Sequence, residues 1–219
     1  MRDPKVDRFV SEPPKTPFAP CWEYYIAEVM LDIDCDALST LILEKEKQII
    51  ATYPSDSDGS TGLGPNSLTS RFKYFNVLNW DHPEISKVHR GIKKFHVMYY
   101  EHVVGNYKPP KLYIRCWANV LRCKQSIKKH LHSIHPHTYI GGHIAIKCDD
   151  TSTVYVNPYD HANGLHYSKN VPGKLTLFPN YIPHYTTEHK SEEERITIAF
   201  DITPLDKIFT EDIVPLPRL

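Results

Sequence analysis

His130 and His132 stand two apart in IKKHLHS, His184 follows in LFPNYIPHY, and Arg195 lies eleven residues further on in ERITIAF. Two residues at i and i+2 of a strand project from one face. A third histidine from a later strand closes a facial set of imidazoles around a divalent ion and leaves open positions for other ligands. Imidazole suits Fe(II), Zn(II), Ni(II) and Cu(II) alike, so the histidines name no metal. Arg195 narrows the chemistry. A guanidinium beside such a site can hold a carboxylate through two hydrogen bonds, and a buried guanidinium requires an anion. Thr197, on the same strand face, offers a hydroxyl to that carboxylate. The alternative for Arg195 is a surface ion pair with Glu192, Glu193 or Glu194.

Other histidines compete for these roles. His135 and His137 form a second pair in IHPH, but Pro136 between them argues against a regular strand. Residues 133–139 therefore read as a loop beside the metal, with His135 and Tyr139 as substrate contacts. His143, on the same face as Ala145, is a further substrate contact. His82, His89, His96 and His102 belong to a helix or its start and read as structural or solvated. His161, His166 and His189 sit in turn-rich stretches and receive no role. Nucleophilic catalysis has no support: no serine lies in a GxSxG elbow and no cysteine in a catalytic motif. Neither a phosphate-binding loop nor a dinucleotide fingerprint is present.

The elements that must position these groups change character along the chain. Residues 1–20 carry five prolines and read as an extended arm. A helix is expected from Asp36 to Ile50 with Asp34 as its N-cap, Leu38, Leu41, Ile42 and Ile49 forming its apolar stripe. The Gly-, Ser- and Asp-rich stretch from Ser55 to Phe72 reads as a loop, either a functional cover or a plain surface connection. A second helix is expected after Asp81 as N-cap, with Pro83 in its first turn. Ile85, Val88, Ile92, Phe95, Tyr99 and Val103 make its stripe, and Gly105 ends it.

After Pro110 the period becomes two. Leu112, Ile114, Cys116, Ala118 and Val120 share one face; Tyr113, Arg115, Trp117 and Asn119 share the other. Near the end of the chain Ile196, Ile198 and Phe200 oppose Arg195, Thr197 and Ala199. Short strands at Ile140–Cys148, Val154–Asn157 and Lys174–Pro179 lie between. Helices first and strands afterwards give an α+β class, with the helices packed on one sheet of a sandwich or barrel. The polar strand faces would then line a lumen that invites a ligand.

At these residues the chain resembles the 2-oxoglutarate/Fe(II) oxygenases of the prolyl-hydroxylase-like superfamily, in a bacterial and phage branch. The resemblance covers residues 55–203. It is carried by DGSTGLGPNSLTSRFKYFNVLNW, CWANVLR, the HxH pair, TYIGGHIAI, STVYVNP, GKLTLFPNYIPH and ERITIAFDI, in that order. With Trp117 setting the register, the first ligand falls on His130 rather than His135. The resemblance implies a double-stranded β-helix (jelly-roll) with N-terminal helices packed on the major sheet. It implies iron held by His130, His132 and His184, with Arg195 binding the C5 carboxylate of 2-oxoglutarate; Thr197, on the face of Arg195, and Asn119 are read as further cofactor contacts. It also implies a dioxygenase that takes O2, releases succinate and CO2 and hydroxylates a small molecule or a protein side chain. Two departures stand out. His132 occupies the position of the usual carboxylate ligand. Ala145 falls where many relatives have a tyrosine, leaving Tyr113, Tyr139 and Asn119 as alternatives for that contact.

Composition bounds the rest. The 219 residues carry 26 basic and 26 acidic side chains, so charge indicates neither nucleic acid nor an anionic membrane as partner. One domain is expected over residues 21–219: a helical part to 110, a β-core over 111–203 and a tail from 204. The five cysteines form no CxxC, and the N-terminal MRDPKVDRF has no signal-peptide core. A reducing, cytoplasmic setting is expected. Homo-oligomerisation stays open. Two other functions fit the same residues: a cupin-like zinc or nickel hydrolase or isomerase, with no use for Arg195, and a non-catalytic jelly-roll binding module.

Overall fold

The computed structural model describes residues 1–55, 57–58, 61–106, 108–160, 164–204 and 217–219. Three positions of the Ser55–Phe72 segment (56, 59 and 60), His161 and most of the expected tail (205–216) lie outside the described residues. In chain order the elements are β1 (Arg2–Val10), β2 (Glu23–Met30), α1 (Cys35–Thr52), α2 (Pro83–Val104), β3 (Tyr113–Leu121) and β4 (Ile140–Lys147). They continue with β5 (Ser152–Val156), β6 (Leu165–Lys169), β7 (Lys174–Pro179), β8 (His184–Thr186) and β9 (Arg195–Thr203). Two 3-10 turns, Thr69–Arg71 and Val77–Asn79, interrupt the connection between the helices.

The strands form two antiparallel sheets, one of six in the order β1-β2-β7-β4-β9-β3 and one of three in the order β6-β5-β8. The expectation of helices first is corrected here, because β1 and β2 precede both helices. The first half of the N-terminal arm is β1, hydrogen-bonded to β2 at the sheet edge. The turn-rich reading around His166 is likewise replaced by β6.

Each helix follows from its caps and its stripe. Asp34 Oδ1 accepts from the Ala37 amide at 3.0 Å to start α1, and Glu84 near the start of α2 accepts from the Asp34 amide at 2.8 Å. The cap of α2 is His82, whose Nδ1 accepts from the Glu84 amide, not the expected Asp81. A ring nitrogen thus does what a carboxylate was expected to do. Gly105, at φ 91°, closes α2 in a conformation that favours glycine. The stripe Ile85, Val88, Ile92, Phe95 and Tyr99 is buried, whereas Val103 lies past the sheet and is 40% exposed.

The outer face of the large sheet packs on both helices. Ile114, Cys116, Ala118 and Val120 of β3 meet Ile196, Ile198, Phe200 and Ile202 of β9 in one core with Leu38, Ile42, Phe95 and Ile92. Each such fully buried aliphatic or aromatic side chain stabilises the fold by about 1.5–3 kcal/mol. The inner face carries the polar set. Antiparallel register aligns Asn119 with Thr197, His143 with Ala199, and Gly141 with Asp201. Tyr155 of β5 packs with Phe178 of β7 and Ile26 of β2 between the sheets. Glu28 of β2, Lys174 of β7 and Ser168 of β6 join the two sheets nearby, with Lys174 Nζ 3.1 Å from Glu28 and 2.8 Å from Ser168. Among the described residues no helix is long and apolar enough to cross a membrane.

Candidate metal centre

His130 and His132 do not lie on a regular strand. The chain leaves β3 and returns irregularly, and only His130 forms a bridge, opposite His184. The two histidines hydrogen-bond through their own backbones: His130 N–H donates to His184 O at 3.0 Å, and His184 N–H to His130 O at 2.8 Å. His132 N–H donates to Asn180 O at 3.0 Å, holding the next turn in place. This stitching achieves the convergence expected of a strand face. The ring centroids of His130 and His184 are 4.4 Å apart, of His132 and His184 5.0 Å, and of His130 and His132 5.4 Å. One ligand atom from each residue lies within 4.8 Å of the other two, close enough to hold one metal ion.

The hydrogen bonds select which nitrogens face inward. Nδ1 of His130 contacts Lys128 O at 2.8 Å, Nδ1 of His184 contacts Ile182 O at 3.0 Å, and Nδ1 of His132 contacts Asp201 Oδ1 at 2.5 Å. Each partner is an acceptor, so each Nδ1 carries a proton and Nε2 is the nitrogen left to face a metal. That is the tautomer a metal ligand needs. Burial and then the neighbouring His132 and His130 rings hold His184 well below the ordinary histidine range. His130 is lowered by burial first and by His132 second. Both are therefore neutral donors near pH 7.

The opposite end of the same cavity carries the cation. Arg195 is 1% exposed. Its Nε donates to Thr151 Oγ1 at 3.2 Å, while Nη1 is buried with no hydrogen-bond partner. The surface ion-pair alternative is overturned: Glu193 and Glu194 pair instead with Lys147, at 2.7 and 3.2 Å. Among the described residues no acidic side chain pairs with Arg195. Burial lowers it to about 10, leaving it a cation at neutral pH. Thr197 Oγ1 accepts from Asn119 Nδ2 at 3.3 Å, which leaves its own proton free to donate. Asn119 Oδ1 accepts in turn from Thr69 Oγ1 at 2.8 Å.

The cavity between these ends is small, with a volume of about 40 Å³. Its walls include Ile127, Phe178 and Ala199 besides the polar groups. Three lone pairs at one end and an unpaired guanidinium nitrogen at the other suit a ligand that chelates a metal and carries a second carboxylate. Residues 115–201 match the model of a family described as "Putative 2OG-Fe(II) oxygenase". That segment is similar to the 2OG-Fe(II) oxygenases and contains all three histidines and Arg195. Fe(II) and 2-oxoglutarate are the cofactors of that family, and its members are oxidoreductases.

Solved structures of similar fold extend beyond the matched segment. A Pseudomonas putida prolyl-4-hydroxylase is 11% identical at a TM-score of 0.52, over 81% of this chain and 91% of its own. AviO1 from Streptomyces viridochromogenes is 12% identical at a TM-score of 0.53, over 89% of this chain and 92% of its own. SnoK, an alpha ketoglutarate dependent carbocyclase from nogalamycin biosynthesis, is 10% identical at a TM-score of 0.54, over 89% and 88%. At such identity the likeness is one of fold. No curated protein matches the sequence.

Within the matched segment, His130, His132, His184, Arg195, Thr197, Asn119 and His143 all line one cavity. His143 forms part of its wall, with Nε2 2.9 Å from the Tyr155 hydroxyl and Nδ1 unpartnered. Burial is the largest of the causes that push this ring down to about 3. Tyr139 and His135 lie elsewhere. The Tyr139 hydroxyl meets His96 Nε2 of α2 at 2.9 Å, and His135 is exposed in its loop, its Nδ1 accepting from the His137 amide. Sequence reasoning passed over Asp201, Thr151 and Thr69. Asp201 continues the alternation Arg195, Thr197, Ala199, and that pattern alone marks it as facing inward.

Proposed function

We propose that the protein is an Fe(II)- and 2-oxoglutarate-dependent dioxygenase that hydroxylates its substrate. His130, His132 and His184 would hold the iron through Nε2, and Arg195 with Thr197 would hold the far carboxylate of 2-oxoglutarate. Asn119 keeps Thr197 oriented to donate. Iron and 2-oxoglutarate held by these residues would supply the oxidising power for hydroxylation, with one oxygen atom of O2 going to the substrate and the other to the succinate formed as CO2 is lost. The chain's own contribution is geometric: fixed imidazole tautomers, a waiting cation, and apolar walls at Ile127 and Phe178 that keep water away. The observation that carries this reading is the buried Arg195, lacking an anion in the same cavity as three convergent histidines. A zinc or nickel hydrolase would use the same histidines but leave that cation unexplained.

The strand order supports a double-stranded β-helix. β7-β4-β9-β3 forms one four-stranded layer, and β6-β5-β8 with the His130 bridge forms the other. We read residues 21–219 as one domain, and the five unpaired cysteines as suited to a reducing compartment such as the cytoplasm. Titrating 2-oxoglutarate anaerobically into the Fe(II)-loaded protein, then admitting O2 and assaying succinate, tests the reading. Metal-dependent binding followed by succinate release is expected. Binding that ignores the metal would overturn it.

The Ser55–Phe72 segment is proposed as a cover, because Thr69 reaches the cavity residue Asn119. Metal plus 2-oxoglutarate should then slow limited proteolysis within it. An unchanged cleavage rate there would remove that role.

A further inference from the structure

We propose that Asp201 supplies, through His132, the negative charge that a carboxylate ligand would bring to the metal centre. This rests on the metal assignment above. His130 and His184 lean on backbone carbonyls, but His132 leans on a carboxylate, Asp201 Oδ1, at 2.5 Å from Nδ1. A divalent ion held by three neutral imidazoles keeps its full +2 charge. A carboxylate one imidazole away offsets part of that charge, and by accepting a hydrogen bond from Nδ1–H it makes Nε2 a stronger donor.

The surroundings are shaped for this pair. Gly141 stands opposite Asp201 across the β4–β9 pairing. A Cβ at Gly141 would lie 2.3 Å from Asn180 Oδ1, 3.1 Å from His132 Nδ1 and 3.4 Å from Asp201 Oδ1. A side chain there would press on the imidazole and carboxylate together. Asp201 is also fixed by register: β9 presents Arg195, Thr197, Ala199 and Asp201 from one face, so one strand serves both the anion end and the metal end. Asp201 is thus a positioning residue, acting on the ion only through His132.

The test is Co(II) affinity, measured by competition with a chelator and followed by the visible spectrum of the bound ion. Asp201→Asn should weaken Co(II) binding about 10- to 100-fold. In a His132→Asp background, where the carboxylate reaches the metal directly, adding Asp201→Asn should produce no loss. An equal loss in both backgrounds, or none in either, overturns the inference. Should the amide variant fail to fold, Asp201→Ser reads the same quantity. If the unaltered protein binds no Co(II), the metal assignment itself fails; if it binds and Asp201→Asn binds equally well, only the role of Asp201 fails.

Discussion

Arg195 is the side chain whose removal separates stability from function. Without a ligand it is a desolvated cation with one nitrogen unpaired. A buried charge carries a desolvation penalty that an apolar side chain of similar volume does not. Arg195→Met should therefore leave the apo protein as stable as before, or more so, in denaturant unfolding. The same change should weaken 2-oxoglutarate binding about 30-fold or more, because truncating one partner of a buried charge pair costs about 2–5 kcal/mol. Metal affinity should stay within roughly threefold, since the three imidazoles are untouched. A variant that lost metal and 2-oxoglutarate together would mean that Arg195 supports the fold of the site and not its anion.

The second helix joins the sheet through a buried histidine, and this gives α2 a pH dependence. His96 is 0% exposed, contacts the Tyr139 hydroxyl, and is lowered by burial from 6.5 to about 4. Above pH 6.5 the ring is neutral folded or unfolded and makes no difference. As pH falls from 6.5 towards 4 the unfolded chain takes up the proton and the folded one does not, so stability drains away by on the order of 3 kcal/mol. His96→Gln keeps a polar group opposite Tyr139 and does not titrate. Urea unfolding at pH 7 and pH 4.5 should show a smaller loss for that variant; equal losses would place the titration elsewhere. The same element shows what the sequence makes legible. The stripes of α1 and α2 and the alternation of β3 and β9 are local patterns set by burial of one face, and they emerged with their inward residues correct apart from the exposed Val103. β2 lacked that signal because EYYIAEVM is buried on both faces, and β1 because its residues are mostly exposed. The His82 cap and the Asp201–His132 contact were hidden for different reasons. One uses an acceptor rarely counted as a cap, and the other joins residues 69 apart in sequence.

The whole molecule is two sheets closed around one cavity, with the metal end at the irregular His130–His132 segment and β8, and the cation end at the start of β9. A metal there would cross-link a stretch now tied to the small sheet by the His130–His184 backbone pair and the Ile127–Thr186 contact. Binding that favours only the folded state stabilises it by about 2.7 kcal/mol at one hundred times Kd. For a domain of this size each kcal/mol moves Tm by about 2–4 °C, so saturating Co(II) should raise Tm by about 5–10 °C. The order of addition then reads the geometry. If 2-oxoglutarate bridges both ends, it has only one anchor before the metal arrives and should add little on its own. After metal it should add a second increment, and Arg195→Met should show the first increment without the second. A 2-oxoglutarate shift of equal size with and without metal would mean that the two ends of the cavity do not share a ligand, and would separate the guanidinium from the histidines as two unrelated features of the fold.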